Sequence, residues 1–418
     1  MKLSDIQSIP QTRESIWLMA RALKVKDFMD GRHDVLARKD FAFKGETLKT
    51  AKTVLQTCKA IADFHNAYLV GNPATLTGAD EAVKQFNSIY AASNYALTDY
   101  RVVNALTQYG NAYEYVYRNR GIICSKVFDN LCAYPVYDDR NVYRAFLEYW
   151  KDAITGDEFY TLYEMERVTE YATKPAGTLV KTGEHVNLSG LPIHYTSGVE
   201  AEFSAFGVGV IEDLIPIVNE IEALLSKTVD AVTTLSLNPL GVSSGQRIVT
   251  SIDKNMVGAM INLEDGGRFD YASATIDHAT VELLLRELVN QLYAVAQVPS
   301  VVFNGNVSNV SEVSLKLLFT QLDNKSKRTA AYLKEGFYAR WEAMRKLMRD
   351  QISDADFDSL DVVFNYNRPT DNTATVNDLA KQYAAGAMSK KTFIEKSPYT
   401  DNAEVEMAQI EKELTKEV

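Results

Sequence analysis

The short segment Gly241-Val-Ser243-Ser-Gly245 matches the G-x-S-x-G elbow of serine hydrolases, in which the serine is the nucleophile on a sharp turn between a strand and a helix. Here Asn238-Pro239 precedes the serine and the strand-like run RIVTSI follows it. A catalytic triad of Ser243, His278 and either Asp253 or Asp265 would lie within fewer than forty residues of the chain. We therefore predict that the match is accidental and that the chain has no catalytic residue. A hydrolase that uses Ser243 is kept as an alternative.

Metal and cofactor chemistry is not indicated by the remaining residues. The five histidines lie far apart, without the H-x-x-x-H or H-E-x-x-H spacing of a zinc site and without a neighbouring cysteine. The sequence has neither a G-x-x-x-x-G-K-[ST] loop nor a G-x-G-x-x-G loop for phosphates. The prediction is a chain with no cofactor and no metal, and any ATP-driven motor that acts with it must be a separate protein.

The charge of the chain is acidic. Its 418 residues carry 55 acidic and 44 basic side chains, a net charge of −11. Tight nucleic-acid binding is driven by Lys and Arg that displace counterions from phosphates, so this balance argues against it. It does not exclude a protein past which DNA slides. Three cysteines without a C-x-x-C pair fit a reducing compartment, and we expect neither a signal peptide nor a membrane-spanning segment.

The spacing of apolar residues predicts an α+β chain that is mostly helical. Residues 12–30 carry Ile16, Met19, Leu23 and Phe28 at helical spacing, and residues 47–70 have a similar spacing. Alternating aromatic and polar residues from about Gly110 predict a hairpin that turns at Asn119, Arg120 and Gly121, and further short strands are predicted up to Tyr195. Two later stretches repeat apolar residues at spacings of three and four, which predicts two amphipathic helices about 30–40 Å long. Their stripes are Ile211, Leu214, Val218, Ile221, Leu225, Val229 and Val232 in the first helix and Val281, Leu285, Leu288, Leu292 and Val295 in the second.

The segment between these helices, residues 236–276, contains glycines and short strand-like runs, which predict a small β-rich insertion. Two helices of similar length would hold the insertion away from the main body, as suits a part that contacts another molecule. The apolar stripe on each helix is narrow, and neighbouring copies in a closed ring could bury it.

A loop, a long helix, a strand and a helical tail are predicted after the second stripe. The strand is DVVFNY, residues 361–366, and the tail has helix starts near Thr373, Ser389 and Thr400. Residues 303–311 form an uncharged loop rich in Asn, Ser and Gly. The next helix has an apolar stripe from Leu315 to Met348 and a basic opposite face. This face carries Lys325, Lys327, Arg328, Lys334, Arg340, Arg345, Lys346 and Arg349. Such a face could line the channel or pair with acidic groups, and a solvated charged face is the commoner case. We predict that it pairs with acidic groups of a neighbouring subunit, above all through Lys327 and Arg328.

The order of these segments resembles the portal proteins of long-tailed phages, the siphophage-type portal family. The residues that carry the resemblance are Asp30-Gly31-Arg32-His33, Tyr68 to Pro73, Gly110 to Tyr117, Pro135 to Asp139, Tyr149-Trp150, Gly190 to Ile193, Ser204 to Asn219, Val298 to Gly305 and Ser311 to Lys316. The resemblance spans most of the chain. It implies a ring of about a dozen identical subunits at one capsid vertex, through which double-stranded DNA is packaged, retained and ejected.

The resemblance also divides the chain into regions. These are a wing (1–203 and 312–370), two stem helices (204–235 and 277–298), a clip (236–276), a channel loop (299–311) and a small helical crown (371–418).

The partners that the resemblance implies belong to the phage particle. A portal ring docks the terminase large subunit during packaging and later holds the head–tail adaptor, beside the major capsid and scaffolding proteins and away from any membrane. The chain would assemble in the cytoplasm of the bacterial host and then reside in the virion. We predict that the charged residues of the clip make the terminase and adaptor contacts: Arg247, Asp253, Lys254, Asp265 and Arg268.

The region predicted to surround the DNA is acidic. Residues 204–311 carry twelve acidic and five basic side chains, so about −7 of the net charge falls there. DNA moving past such a wall would be repelled rather than trapped. The uncharged Asn304, Asn306, Ser308 and Asn309 could form weak hydrogen bonds with phosphates without reading sequence. We predict that this loop lines the channel constriction, with a plain surface loop as the alternative.

Two alternatives to a phage portal remain, one with the same architecture and one without a ring. A portal-derived component of a defective prophage or gene-transfer particle would have the same architecture and differ in its neighbouring genes. A soluble helical scaffold that never meets DNA would form no ring with an axial hole.

Overall fold

The computed structural model describes residues 3–43, 46–173, 178–203, 205–233, 240–244, 268–272, 277–299, 312–348, 352–368, 372–400 and 403–414. The α-helices are α1 (Leu3–Ser8), α2 (Arg13–Met29), α3 (Thr57–Val70), α4 (Asp80–Ala92), α5 (Tyr95–Tyr109), α6 (Val210–Ala231), α7 (His278–Ala296), α8 (Glu312–Leu347), α9 (Asp354–Asp358), α10 (Asn372–Ala384), α11 (Lys390–Glu395) and α12 (Ala403–Leu414). The strands are β1 (Phe41–Phe43), β2 (Glu46–Leu48), β3 (Thr75–Thr77), β4 (Asn111–Asn119), β5 (Ile122–Val127), β6 (Ala133–Tyr137), β7 (Tyr143–Lys151), β8 (Glu158–Tyr163), β9 (Arg167–Thr173), β10 (Leu179–Val186), β11 (Ile193–Thr196), β12 (Leu240–Ser244), β13 (Arg268–Ala272) and β14 (Asp361–Val363).

The predicted N-terminal helix is confirmed as α2, which begins at a capped end. The Thr12 side chain accepts a hydrogen bond from the backbone N–H of Ser15, which satisfies one of the free amides of the first turn. Ile16 and Leu23, which belong to the predicted apolar stripe, are exposed. The prediction is wrong at these two positions and right at Phe28, because the face that the helix turns to the core consists of Leu18, Ala22, Val25 and Phe28. The second predicted helix begins only at Thr57, since residues 46–48 form β2.

The middle of the chain forms two antiparallel sheets, as the alternating pattern predicted. One has the strand order β10-β9-β8-β7-β6 and the other β11-β4-β5. The turn between β4 and β5 places Arg120 and Gly121 at φ of 49° and 90°. Two such residues form the hairpin turn whose twist suits a strand pair. The aromatic side chains of these strands fill a core of their own, which includes Tyr113, Tyr115, Phe128, Phe146 and Tyr163.

The long helix α8 has 36 residues and packs directly on the three-stranded sheet. At 1.5 Å per residue it is about 54 Å long. A Cβ atom at Gly336 would lie 2.1 Å from the ring of Tyr195 on β11, so only glycine allows this close approach. Leu333, Phe337 and Trp341 are buried beside it. The predicted apolar stripe of this helix is therefore present and forms the centre of the largest core.

One residue of the predicted basic face, Arg340, is completely buried. Its Nε donates to Oε2 of Glu114 at 2.9 Å, and its Nη1 donates to Asp99 and, at 3.3 Å, to the Tyr90 hydroxyl. The Tyr195 hydroxyl donates to the same Glu114 oxygen at 2.5 Å. The prediction of an outward-facing basic side chain is wrong at Arg340, because its carboxylate partners lie 226 and 241 residues earlier in the chain.

The two predicted amphipathic helices are α6 and α7, of 22 and 19 residues. Pro216 lies inside α6, where it cannot donate a backbone hydrogen bond. Between the two helices, β12 and β13 pair antiparallel. None of the described helices combines the length and apolar character needed to cross a lipid bilayer.

The C-terminal part is helical, with one short strand before it. The predicted strand at 361–366 is present as β14, which pairs with β3. Of the predicted helix starts, Thr373 and Ser389 agree with α10 and α11 to within a residue, and the Ser389 side chain accepts from the backbone N–H of Thr392. The third helix begins at Ala403 rather than near Thr400.

Candidate ring-contact and channel site

The apolar stripes predicted for ring contacts lie largely inside the chain's own core. Ile211, Leu214, Val218 and Ile221 of α6 and Leu292 of α7 are at most 2% exposed. They pack against the buried faces of α2 and α3. In this fold these five side chains leave no surface for a neighbouring subunit. Periodicity predicts that a helix face is buried, but it does not say which molecule covers it.

The rest of the predicted stripe is only partly buried. Leu225, Leu285 and Leu288 pack on the edge of the same core, and Val281 is also partly buried. Val229, Val232 and Val295, the last members of the predicted stripes, are exposed at 46%, 37% and 43%. Leu283 and Leu284 of α7 are exposed as well, at 48% and 49%. We call Val229, Leu283 and Leu284 the outer face, and exposed apolar side chains of this kind are candidates for a protein contact.

An extended segment, residues 51–55, is tied along one side of α6, and we call it the strap. Its alternate backbone N–H groups donate to α6 side chains spaced four residues apart: Ala51 to Asp230 at 2.7 Å, Thr53 to Ser226 at 3.0 Å and Leu55 to Glu222 at 2.7 Å. The repeats match, because two extended residues span about 6.6 Å and four helical residues about 6.0 Å. Sequence reasoning missed the strap, whose signal is the spacing of the three polar acceptors.

A buried pair, His33 and Glu222, anchors one end of the strap. His33 Nδ1 lies 2.6 Å from Glu222 Oε1, and His33 Nε2 lies 2.9 Å from the carbonyl oxygen of Phe28. Since a carbonyl oxygen can only accept, His33 Nε2 carries a proton and a further proton is shared with Glu222. Both side chains are almost fully buried. This pair therefore joins the turn after α2, the strap and α6.

The antiparallel strand pair β12–β13 contains the serine of the hydrolase motif. Ser243 lies within β12 and is in register with Phe269 of β13. A position in the middle of a strand pair is not the strand-to-helix turn that a nucleophile elbow needs, so the hydrolase alternative lacks its required geometry.

The predicted contact residues of the clip and the channel loop are mostly outside the described residues. Arg268, at the start of β13, is exposed. The others lie outside the described residues: Arg247, Asp253, Lys254 and Asp265 of the clip, and Asn304, Asn306, Ser308 and Asn309 of the channel loop.

Lys327 and Arg328, predicted to pair with a neighbouring subunit, are both exposed on α8. Lys325, on the same helix, lies in a recess instead. Its Nζ is 3.1 Å from Nε2 of His65, which is itself 2.9 Å from the carbonyl oxygen of Ala296. Burial lowers the pKa of Lys325 to about 7, and the positive charge of Arg328 lowers it further.

Residues 17–418 match a protein family described as phage portal protein, SPP1 Gp6-like. The chain belongs to this family. The portal function predicted from the sequence is thereby confirmed, and this portal protein is a structural component of a phage-type particle. A comparison with curated proteins gave no match.

The portal protein is also similar to solved structures of gene transfer agent (GTA) particles. The neck of an empty GTA particle, computed with C6 symmetry, matches with a TM-score of 0.50 and 11% identity over 81% of this chain and 87% of that chain. The neck of a native GTA particle computed with C12 symmetry, and the virion of a native GTA particle, each give a TM-score of 0.48 with the same identity and coverage. The likeness to the empty neck confirms the mixed helix-and-sheet fold.

Proposed function

We propose that this portal protein works as a closed ring of about a dozen identical subunits around an open axis, through which double-stranded DNA enters and leaves the particle. The observation that carries the proposal is the family match over residues 17–418. The helix pair α6–α7 supports it, since it flanks the antiparallel strand pair β12–β13 in the order that the family resemblance implies for stem and clip. The C6 symmetry applied to the similar GTA neck is compatible with a subunit number divisible by six.

In the proposed ring, the outer face of α6 and α7 packs against the next subunit. A closed ring needs two different complementary surfaces on each copy. The buried stripe of α6 fixes the helix to its own wing through α2 and α3, so the outer face remains as the apolar contact. Lys327 and Arg328, exposed on α8, are proposed to meet acidic groups of the neighbour.

Leu284→Glu is expected to reduce the fraction of subunits in rings at least tenfold. Burying a leucine contributes about 1.5–3 kcal/mol, and about 1.4 kcal/mol corresponds to a tenfold change in affinity. Native mass spectrometry of the purified chain measures the change. The control is Ile122→Glu, on the wing hairpin, whose leucine-sized side chain is also 49% exposed. Rings of unchanged abundance with Leu284→Glu would contradict the proposed contact.

The channel and docking roles are proposed for the segments around the helix pair. The loop at 299–311 is proposed to line the narrowest part of the channel, where Asn304, Asn306, Ser308 and Asn309 meet phosphates without a strong electrostatic trap.

The clip, residues 236–276, is proposed to dock the terminase large subunit and then the head–tail adaptor. Binding of isolated terminase large subunit to purified rings with reversed charge at Arg268 tests the second proposal, and unchanged affinity counts against it.

A second candidate is a portal of a gene-transfer particle or defective prophage, and the likeness to a GTA neck favours it. The contacts of the chain would be the same in both cases. Sequencing the DNA inside purified particles separates them, because a phage packages its own genome whereas a gene-transfer particle carries fragments of host DNA.

A further inference from the structure

A cavity lies where the N-terminus of α6 meets α3, α5, α8 and the end of α7. Its volume is about 250 Å³. Its wall is mixed, with apolar side chains such as Leu69 and Leu106 beside polar ones such as Thr107. The cationic side chains on the wall, Lys325 and Arg328, lie one helical turn apart on α8. The cavity therefore combines apolar side chains with positive charge, which suits an anionic group on an aliphatic stem.

Lys325 forms no ion pair with an Asp or Glu in the described part of the chain. No described Asp or Glu oxygen lies within 4.0 Å of its Nζ, and Asp213 is on the cavity wall but exposed. The contact with His65 does not replace an anion. His65 Nε2 must carry a proton to bond the carbonyl oxygen of Ala296, so it offers no lone pair to an ammonium group. A recessed cation of this kind is destabilising unless an anion joins it.

The start of α6 adds to the positive potential of the cavity. Gly209 is the N-cap residue and has no side chain to cap the first turn, and both Gly209 and Val210 line the cavity. The free N–H groups and the dipole of a 22-residue helix favour an anion at this end.

We propose that this cavity binds the carboxylate of an acidic side chain from a second copy of the chain. The inference rests on the proposed ring. A phosphate of a rigid duplex suits the site less well, because Lys325 is partly buried in a cavity rather than exposed on the surface of α8. An aspartate or glutamate fits, and the chain has 55 of them against 44 Lys and Arg. The carboxylate would pair with Lys325 and Arg328 and neutralise part of their charge only when the ring closes.

The test compares Lys325→Met with Lys346→Met, two changes that remove the same type of charge from the same helix. Lys325→Met is expected to raise the thermal midpoint of the isolated subunit by about 1–3 °C, because an unpaired recessed cation is removed. The same variant is expected to lower the yield of rings at least tenfold, because its partner carboxylate stays unpaired. Lys346, which is exposed and pairs with Glu342 of its own helix, should tolerate the change with less effect on either measurement.

The outcomes separate this inference from the proposed function. If the wild-type chain forms no rings, the proposed function fails. If wild-type rings form and Lys325→Met rings form equally well, or if the variant lowers the thermal midpoint, the carboxylate inference is overturned. A cryo-EM map of the wild-type ring gives a direct readout. It should place a carboxylate of the adjacent subunit within about 4 Å of Lys325 Nζ, and a cavity occupied by the same chain or only by solvent would overturn the inference.

Ring formation should also depend on pH. In the free subunit, burial lowers the pKa of Lys325 to about 7. Arg328 on the same helix lowers this pKa as well, whereas Asp213 on α6 raises it. His65 on α3 also faces Lys325, and α5 and α7 contribute uncharged side chains to the wall. A partner carboxylate raises the pKa in the ring, so association takes up a proton.

The contact between Lys325 and the partner carboxylate contributes fully to association below pH 7, where Lys325 is protonated in the free subunit. The contribution weakens as the pH rises from 7 and is lost above the higher pKa that Lys325 has in the ring. The apparent dissociation constant is expected to rise about tenfold per pH unit above 7. Mass photometry at pH 6 and pH 9 measures it, and Lys325→Met should remove most of the dependence. A pH dependence that is the same in both proteins would contradict the role of Lys325.

Discussion

Replacing Arg340 with methionine is expected to lower the free energy of unfolding by about 3–5 kcal/mol. Methionine keeps much of the side-chain volume but removes the cation, which leaves the buried carboxylates of Glu114 and Asp99 without their shared partner. Burial already raises the pKa of Asp99, so in the variant this group is expected to take up a proton on folding. Urea denaturation followed by circular dichroism gives the change in midpoint.

Lys346→Met is the matched control for Arg340. Lys346 lies on the same helix and pairs with Glu342 at 3.0 Å, but both side chains are about half exposed. An exposed pair of this kind contributes about 0.3–0.5 kcal/mol. Arg340→Lys is also expected to fail as a rescue, since an ammonium group cannot donate from the fixed positions of Nε and Nη1. Equal effects of Arg340→Met and Lys346→Met would show that the buried cluster does not hold α8 on the sheet.

Glu222→Ala is expected to cost about 2–4 kcal/mol of stability. The change removes the acceptor of both His33 and the Leu55 backbone N–H, so a buried histidine and one end of the strap lose their partner together. Hydrogen exchange should show faster exchange at the Leu55 amide, because its acceptor is gone. Thermal unfolding measures the loss of stability in the same samples.

The control for Glu222 is Glu220→Ala, two residues away on α6 and exposed. It removes a carboxylate of the same kind from the same helix and should change the free energy of unfolding by less than about 0.5 kcal/mol. Glu222→Gln should fall between the two, since an amide oxygen can still accept from Leu55. If Glu222→Ala behaved like Glu220→Ala, the strap would not be a stabilising element.

Sequence reasoning succeeded where the signal was local. The β4–β5 hairpin was predicted because Arg120 and Gly121 form a turn next to an alternating pattern, and both the pattern and the turn act over a few residues. The helices α6 and α7 were predicted because their apolar spacing is regular over several turns. The family resemblance rests on motifs in a fixed order, and the family match over residues 17–418 confirms it.

Reasoning from the sequence failed where the partner of a side chain is distant in the chain. Arg340 has the spacing of an outward-facing basic residue, and its burial depends on carboxylates more than two hundred residues away. The stripe of α6 was assigned to neighbouring subunits, but α2 and α3 cover most of it. The strap lies within residues 47–70, whose apolar spacing predicted a helix, and it is extended because its hydrogen-bond acceptors are side chains of α6 more than 160 residues later.

The portal assignment has its most direct test in cryo-electron microscopy of the purified wild-type chain. The proposed function predicts closed rings of about a dozen subunits with an axial hole wide enough for a DNA duplex. The map should also place the loop at 299–311 at the narrowest point of the hole. Particles that remain single compact subunits at every concentration and pH would contradict the proposed ring. Rings whose constriction is lined by other residues would contradict the role proposed for the loop.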